Sequence, residues 1–418
     1  MPIDVTNVIT EKLLGSLEQA FPQHVRRAIS LPQVPAGKAH AVIGMRRAGK
    51  TTFLLQCLAD RLAKGIDRTR LVYFNFEDER LGGMNADQLH LVTDSYYRLH
   101  PQNREAQVTF AFDEIQVVPG WETFVRRVLD EGNVEILLSG SSARMLSRAV
   151  ATSMRGRAME TIVTPFSFGE FCLATLGHTP TSEVSAKGRS QLENAFGRYM
   201  ETGGFPEAIE MPRRERIQLL QGYVDAVMLR DIVERHRVSN VAALRALTRQ
   251  LICNLGCQAS ITKLSKDLTS QGYPIGKDTM RALMDHLADA FLIRRMQILT
   301  ESERVRQTNP SKIYLADHSL SVAYKAKDRD RGHHLENIVA CELDRHSQSV
   351  HYMRTSSGYE VDFAARDWDG HLTLIQVANT IVDPKTAQRE CRALADALQQ
   401  YPDARPLIIT ELEEHSID

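Results

Sequence analysis

The sequence predicts an α/β fold: a parallel-sheet phosphate-loop core, then a helical lid, a winged-helix domain and a C-terminal α/β domain. Three observations predict it. Gly44 to Thr51 reads Gly-Met-Arg-Arg-Ala-Gly-Lys-Thr directly after the apolar run Ala41-Val42-Ile43. From His40 to about Pro165, strand-length apolar runs alternate with amphipathic stretches, as in parallel strands joined by crossover helices. Between 241 and 315, three helical stretches precede a pair of strands, which is the order of a winged helix.

Taken in order, residues 1–39 read as a helical lead-in, with Leu13, Leu14, Leu17 and Phe21 at helical spacing. Strands follow at 39–43, 71–77, 108–113, 134–139 and 159–163, with helical stretches near 51–64, 87–99, 121–131 and 142–150. The first strand and helix enclose a complete G-x-x-x-x-G-K-[ST] phosphate loop. Gly44 and Gly49 let the backbone curl so that its N–H groups point at phosphate oxygens. The start of the next helix adds partial positive charge to the same place. Arg46, Arg47, Ala48 and Thr52 belong to the loop. Lys50 is expected to reach the β- and γ-phosphates, and Thr51 to bind Mg²⁺ through its hydroxyl. ATP with Mg²⁺ is the expected ligand.

The third strand ends in Asp113-Glu114. Alone, such a pair is an ordinary polar strand end. Beside the loop, Asp113 suits the metal, and Glu114 suits a base that orients and deprotonates the attacking water. Ser139-Gly140-Ser141-Ser142 closes the fourth strand. Ser141, with Ser142 as the alternative, is expected to reach the γ-phosphate or the water. A serine there suits a helix N-cap equally well, and both readings stand.

Beyond the core, 166–171 is apolar and turn-rich, and 177–190 is a polar loop. Residues 191–239 read as helices around the turn Gly203-Gly204-Phe205-Pro206, closed by the charged run from Arg230 to Arg237. The helices at 242–256, 260–268 and 276–290 precede strands at 291–299 and 312–315, bridged by a polar loop that holds Arg304 and Arg306. Candidate DNA contacts are Lys277 and Arg281 on the third helix, and Arg294, Arg295, Arg304, Arg306 and Lys312 on the wing side. Asp278, Asp285 and Asp289 would repel phosphate, so the wing is expected to carry most contacts and make binding salt-sensitive. The last part holds a helix at 334–346, strands at 350–353, 360–364 and 372–377, a helix at 386–400 and a strand at 406–410. The expected domains are 1–170, 171–239, 240–330 and 331–418.

Composition sets limits. A chain of 418 residues exceeds one hydrophobic core. Its 43% hydrophobic and 25% charged content is that of a soluble globular protein. No apolar run approaches a membrane span, so no membrane partner is expected. Met1-Pro2-Ile3-Asp4 lacks the layout of a signal peptide. A net charge of −1 excludes a global basic field, so a nucleic-acid site must be local. Cys253 and Cys257 are four apart with no second pair, which favours packing over zinc and a reducing, cytoplasmic setting.

These motifs together resemble a widespread family of prokaryotic AAA-type ATPases that join a phosphate-loop module to a C-terminal restriction-endonuclease-like domain. The resemblance rests on 44–52, Phe-Asp-Glu-Ile-Gln at 112–116, and the segments 138–142, 165–171, 203–207 and 230–232. It also rests on His334-Leu335-Glu336-Asn337, Glu360-Val361-Asp362-Phe363 and Ile375-Gln376-Val377. It implies a helix glutamate, a strand aspartate and a Glu-x-Lys pair around a metal. Glu336 and Asp362 hold the first two places, but Gln376 and Ala378 stand in the others, and Lys385 lies further along. Nuclease activity is therefore not expected, and the domain reads as a degenerate nuclease fold used for binding or assembly. The resemblance also implies an arginine supplied by a neighbouring subunit, hence a nucleotide-dependent homo-oligomer. Arg155, Arg157 and Arg230 are candidates, and for any single one an ordinary surface ion pair is the favoured reading. The leading expectation is an ATP-hydrolysing motor or remodelling switch acting on DNA. The alternative is a non-motor switch that regulates a protein partner.

Overall fold

The structure is a computed structural model and describes residues 5–141, 154, 156–181, 185–325 and 331–413. The chain divides into two compact units after Phe166. The first therefore ends four residues before the expected boundary at 170, and the expected boundaries at 239 and 330 fall inside the second.

The first unit opens with α1 (Val5–Glu18), which buries Val8, Ile9 and Leu13. The expected helical lead-in stops there, because Pro22, Pro32 and Pro35 break any longer helix. The stretch still packs: Phe21, Ile29 and Leu31 lie against the core of Val42, Phe53, Leu54 and Leu137. Strands β1 (Ala39–Ile43), β2 (Leu71–Asn75), β3 (Val108–Asp113), β4 (Val134–Gly140) and β5 (Ala158–Ile162) form one parallel sheet. Their order is β2-β3-β4-β1-β5. Every residue of β1 and β3 is buried, as in a sheet covered on both faces. Helices α2 (Lys50–Ala63), α3 (His90–Leu99) and α4 (Trp121–Asp130) connect the strands. The carboxyl ends of β1, β3 and β4 meet at one edge, where such sheets hold ligands. The helix expected at 142–150 lies outside the described residues.

The second unit begins with α5 (Phe168–Leu176), where an apolar turn was expected. Its start is set by Ser167 and Glu170, each side chain accepting from the other's backbone N–H. Next, α6 (Ala186–Thr202) starts inside the expected polar loop, and α7 (Arg213–Ala226) runs on into a π-helical segment, Val227–Glu234. The turn at Gly203-Gly204 is locked onto Asp317, whose carboxylate accepts the Gly204 N–H at 2.8 Å. A Cβ on Gly203, at φ 72°, would lie 2.1 Å from the same carboxylate.

Then come α8 (Val241–Cys253), β6 (Gln258–Ala259), α9 (Ile261–Ser270), α10 (Lys277–Asp289), β7 (Ile293–Met296), α11 (Glu303–Thr308), β8 (Ser311–Leu315) and α12 (Ser319–Tyr324). The expected polar loop around Arg304 is thus partly helical, capped by Ser302. β6, β8 and β7 form an antiparallel sheet in that order. The last elements are α13 (Arg331–His346), β9 (Ser349–Arg354), β10 (Glu360–Arg366), β11 (Leu372–Val377), α14 (Pro384–Gln400) and β12 (Arg405–Ile409). Their sheet runs β12-β11-β10-β9, with β12 parallel to β11 and the rest antiparallel. Ala393, Leu394 and Ala397 of α14 cover one face.

Candidate nucleotide site

The loop after β1 has the backbone its sequence demands. Gly44 sits at φ 149°, and a Cβ there would lie 2.1 Å from the Val163 carbonyl. Gly49, at φ 99°, turns the chain into α2, and Arg47 is also left-handed at φ 67°. Lys50 is buried, and its ammonium donates to the Gly44 and Met45 carbonyls at 3.0 and 3.2 Å. Ala48 is buried, Thr52 half-buried, and Arg47 exposed. Arg46 pairs with Glu77 at 2.9 Å. A residue the motif does not contain supports the loop from below. Arg27, buried in the lead-in, donates to Ala48 O at 2.9 Å and Thr164 O at 2.6 Å and lies over the Phe166 ring.

The acidic pair stands beside this loop. Thr51 Oγ1 donates to Asp113 Oδ2 at 2.8 Å, and the Tyr73 hydroxyl donates to the same oxygen at 2.7 Å. Ser139 Oγ bonds the other oxygen, Oδ1. Burial pushes the Asp113 carboxyl up; the Ser139 bond opposes this, and the neighbouring Glu114 adds to it. Burial and Asp113 together push the Tyr73 phenol up, so it stays a donor. Glu114 has a left-handed backbone at φ 53°, and its N–H is held by Ser139 Oγ at 2.9 Å. One Glu114 oxygen lies 3.8 Å from Lys50 Nζ, and the other accepts from Gln116 Nε2. Thr51 and Asp113 are hard oxygen donors converging on one point beside the loop, which fits Mg²⁺ completed by water and phosphate.

The fourth-strand serine that bonds the acidic pair is Ser139, two positions before Ser141. β3 and β4 pair Phe112 with Leu138, so Asp113 meets Ser139. Ser141 is buried just past Gly140, which pairs with Ile43, so it shares the sheet edge of Gly44. Ser142 and Arg155 lie outside the described residues.

Arg157 is not brought to this site within its own chain. It precedes β5, whose first residue pairs with Ala39 at the start of β1, and it forms an ion pair with Asp130. The loop is at the other end of β1, roughly 16 Å away along the strand. Arg230 is exposed on the π-helical segment of the second unit.

The expected basic wing is largely spent on internal pairs. Arg294 bonds Asp344, and Arg295 bonds Asp285 at 2.7 Å. Burial lowers the Arg294 pKa to about 10. Arg306 pairs with Glu303 at 3.0 Å and donates to Thr300 O at 2.6 Å. Arg281 faces Asp278 at 3.6 Å. Lys277 and Arg304 are exposed.

Lys312 is a clear correction: it is 4% exposed and faces inward from β8. Its ammonium lies 3.0 Å from Glu336, 2.8 Å from Glu360 and 2.8 Å from Asp362. Tyr314 also donates to Glu336, at 2.6 Å. Burial would lower the Lys312 pKa, but the three carboxylates outweigh it and hold the pKa high. Glu336 is pushed up by burial and by Asp362, against the pull of Lys312. Gln376 accepts the Asp362 N–H at 2.8 Å and donates to Glu390 at 2.9 Å. Glu336, Glu360, Asp362, Gln376 and Glu390 line a cavity of about 550 Å³ with His333, Tyr359 and Arg389. Ala378 is buried in the strand region, and Lys385 begins α14, outside this lining.

Comparison with known proteins agrees with the core. Residues 36–172 match a family described as "AAA domain", and 193–331 match a "Domain of unknown function (DUF8612)". An uncharacterized protein of Methanocaldococcus jannaschii, MJ1544, is 30% identical over 404 residues, covering 95% of this chain and 87% of its own. An uncharacterized protein of Haemophilus influenzae is 30% identical over 341 residues, 81% of each chain. Among solved structures, the Walker-type ATPase paby2304 of Pyrococcus abyssi is similar at TM-score 0.42 and 15% identity. The match covers 76% of this chain and 94% of that one.

Proposed function

The chain belongs to the family of the uncharacterized protein MJ1544, with an AAA domain over 36–172, and on that premise we propose that it binds ATP with Mg²⁺ and hydrolyses it, with DNA as the partner that turnover serves. The observation that carries the ATPase reading is the meeting of Thr51 Oγ1 and Asp113 Oδ2 at 2.8 Å beside the curled loop, with Lys50 and Glu114 3.8 Å apart next to it.

Lys50 exchanges its loop carbonyls for the β- and γ-phosphate oxygens, and the loop N–H groups hold the same oxygens. Thr51 and Asp113 would hold Mg²⁺, which neutralises phosphate charge when bound. Glu114 accepts the proton of the attacking water. Ser139 fixes both acids at once, because one hydroxyl serves Asp113 and the Glu114 backbone. Arg230, exposed on the second unit, is the better candidate for an arginine acting in trans within a homo-oligomer.

The DNA part rests on the order of elements from α8 to β8, which is that of a winged helix, and on Lys277, Arg281 and Arg304 at the surface. A second reading, a switch that regulates a protein partner, is favoured by the internal pairing of Arg294, Arg295 and Arg306. The test is Mg²⁺-dependent ATP turnover with and without duplex and forked DNA. Several-fold stimulation supports the first reading, and indifference to DNA supports the second. Lys50→Ala should abolish nucleotide binding. Glu114→Gln should bind ATP and lose at least about 100-fold in turnover; hydrolysis at the parent rate would refute the assignment of the base.

A further inference from the structure

Glu114 is tied at its backbone by Ser139, but its carboxylate needs a separate hold to face a water in one orientation. The short turn Ile115–Val117 supplies one. Ile115 is fully buried, and the turn brings the side chains of residues 114 and 116 face to face, with Gln116 Nε2 donating to Glu114 Oε2. Both residues are 8% exposed. The orientation of the amide follows from its partner, since an ionised carboxylate only accepts and must meet the NH₂ end. Its other Glu114 oxygen, Oε1, stays on the Lys50 side, 3.8 Å from Nζ.

The cost of this arrangement is visible. Gln116 Oε1 is buried and has no hydrogen-bond partner among the described residues. A buried acceptor left unpaired is destabilising, and an apolar side chain of the same length would avoid the penalty. That penalty offsets what the bond to Glu114 contributes, so glutamine brings little net stability at this position.

We propose that Gln116 is a positioning residue for hydrolysis: its amide holds the Glu114 carboxylate in the orientation that a general base requires. The inference rests on the reading of Glu114 as the base. Without the amide the carboxylate is free to rotate away from the water, so turnover falls while nucleotide binding, which Lys50 and the loop provide, is kept.

The experiment compares the parent with Gln116→Met, which keeps the length and removes the donor, and with Gln116→Glu, which sets a like charge beside the base. For Gln116→Met, kcat should fall about 10- to 100-fold, with KM and nucleotide affinity within about 2-fold of the parent. The fall in kcat should be larger in Gln116→Glu, with KM again close to that of the parent. Thermal stability of Gln116→Met should stay close to that of the parent, since the acceptor that is gone and the Glu114 oxygen that loses its donor offset each other. Parent-like kcat in Gln116→Met overturns the inference and leaves the ATPase reading standing. A lower kcat with a matching loss of nucleotide affinity and reduced stability also overturns it, because that is the signature of a merely structural role. A well-folded parent that turns over no ATP removes the premise as well, and the two failures are told apart by the parent alone.

Discussion

Ser139→Ala removes one hydroxyl and strands two buried groups. Ser139 is fully buried, donates to Asp113 Oδ1 and accepts the Glu114 N–H at 2.9 Å. Water cannot replace it there, so each stranded group costs roughly 1–3 kcal/mol. Asp113 keeps Tyr73 and Thr51 on its other oxygen, which places the sum near 3 kcal/mol rather than at the top of the range. For a unit of this size that is a fall in Tm of roughly 6–12 °C. The two tryptophans make the readout selective. Trp121 is 1% exposed in the first unit, and Trp368 is 75% exposed in the second. A red shift of tryptophan emission on heating or in urea therefore follows the first unit. The same variant should lose about tenfold in turnover while still binding nucleotide, because both acids lose a common fixed point. A stability change under about 0.5 kcal/mol would refute the reasoning, since two unpaired buried groups cannot be that cheap.

Two further outcomes follow from the ion clusters. Lys312→Met leaves Glu336, Glu360 and Asp362 with no ammonium among them, and should destabilise the second unit by roughly 3 kcal/mol, read from urea unfolding followed by circular dichroism. Adding Asp362→Asn should recover part of that loss, and failure to do so would argue against the cluster's electrostatics. In the first unit, burial would raise the Glu135 pKa, but His40, Arg61 and Thr109 outweigh it and hold the carboxyl below its ordinary 4.5. A lowered carboxyl pKa stabilises the fold fully above the ordinary value, and that gain is lost as pH falls through the lowered one. The parent should therefore lose stability progressively below about pH 4.5, and Glu135→Gln should be less stable at pH 7 but flatter in acid, as checked by thermal melts from pH 3 to 7.

Much of the first unit was legible because its signals are local. The loop motif, the apolar strands and the acidic strand tip each sit within a few residues. Arg27 was not legible: it lies in a proline-broken stretch with no period, and its partners are 21 and 137 residues away. Ser139 on β4 and Ser141 one residue past its end share parity, so alternation could not tell which of them meets Asp113; the register with β3 does. Ser167 and Glu170 carried a readable capping box, yet the apolar run around them read as a turn. Lys312 looked like a surface cation because the carboxylates that receive it come 24 to 50 residues later in the chain.

The seat of Lys50 has a consequence for ligand competition. Its ammonium already has two acceptors in the loop itself, at Gly44 and Met45. An incoming anion therefore trades one set of oxygens for another instead of capturing a solvated amine. Weak or singly charged anions gain little from the trade. A polyanion with several oxygens and high charge density has the most to gain from it, so the resting tether weights the site toward multiply charged ligands.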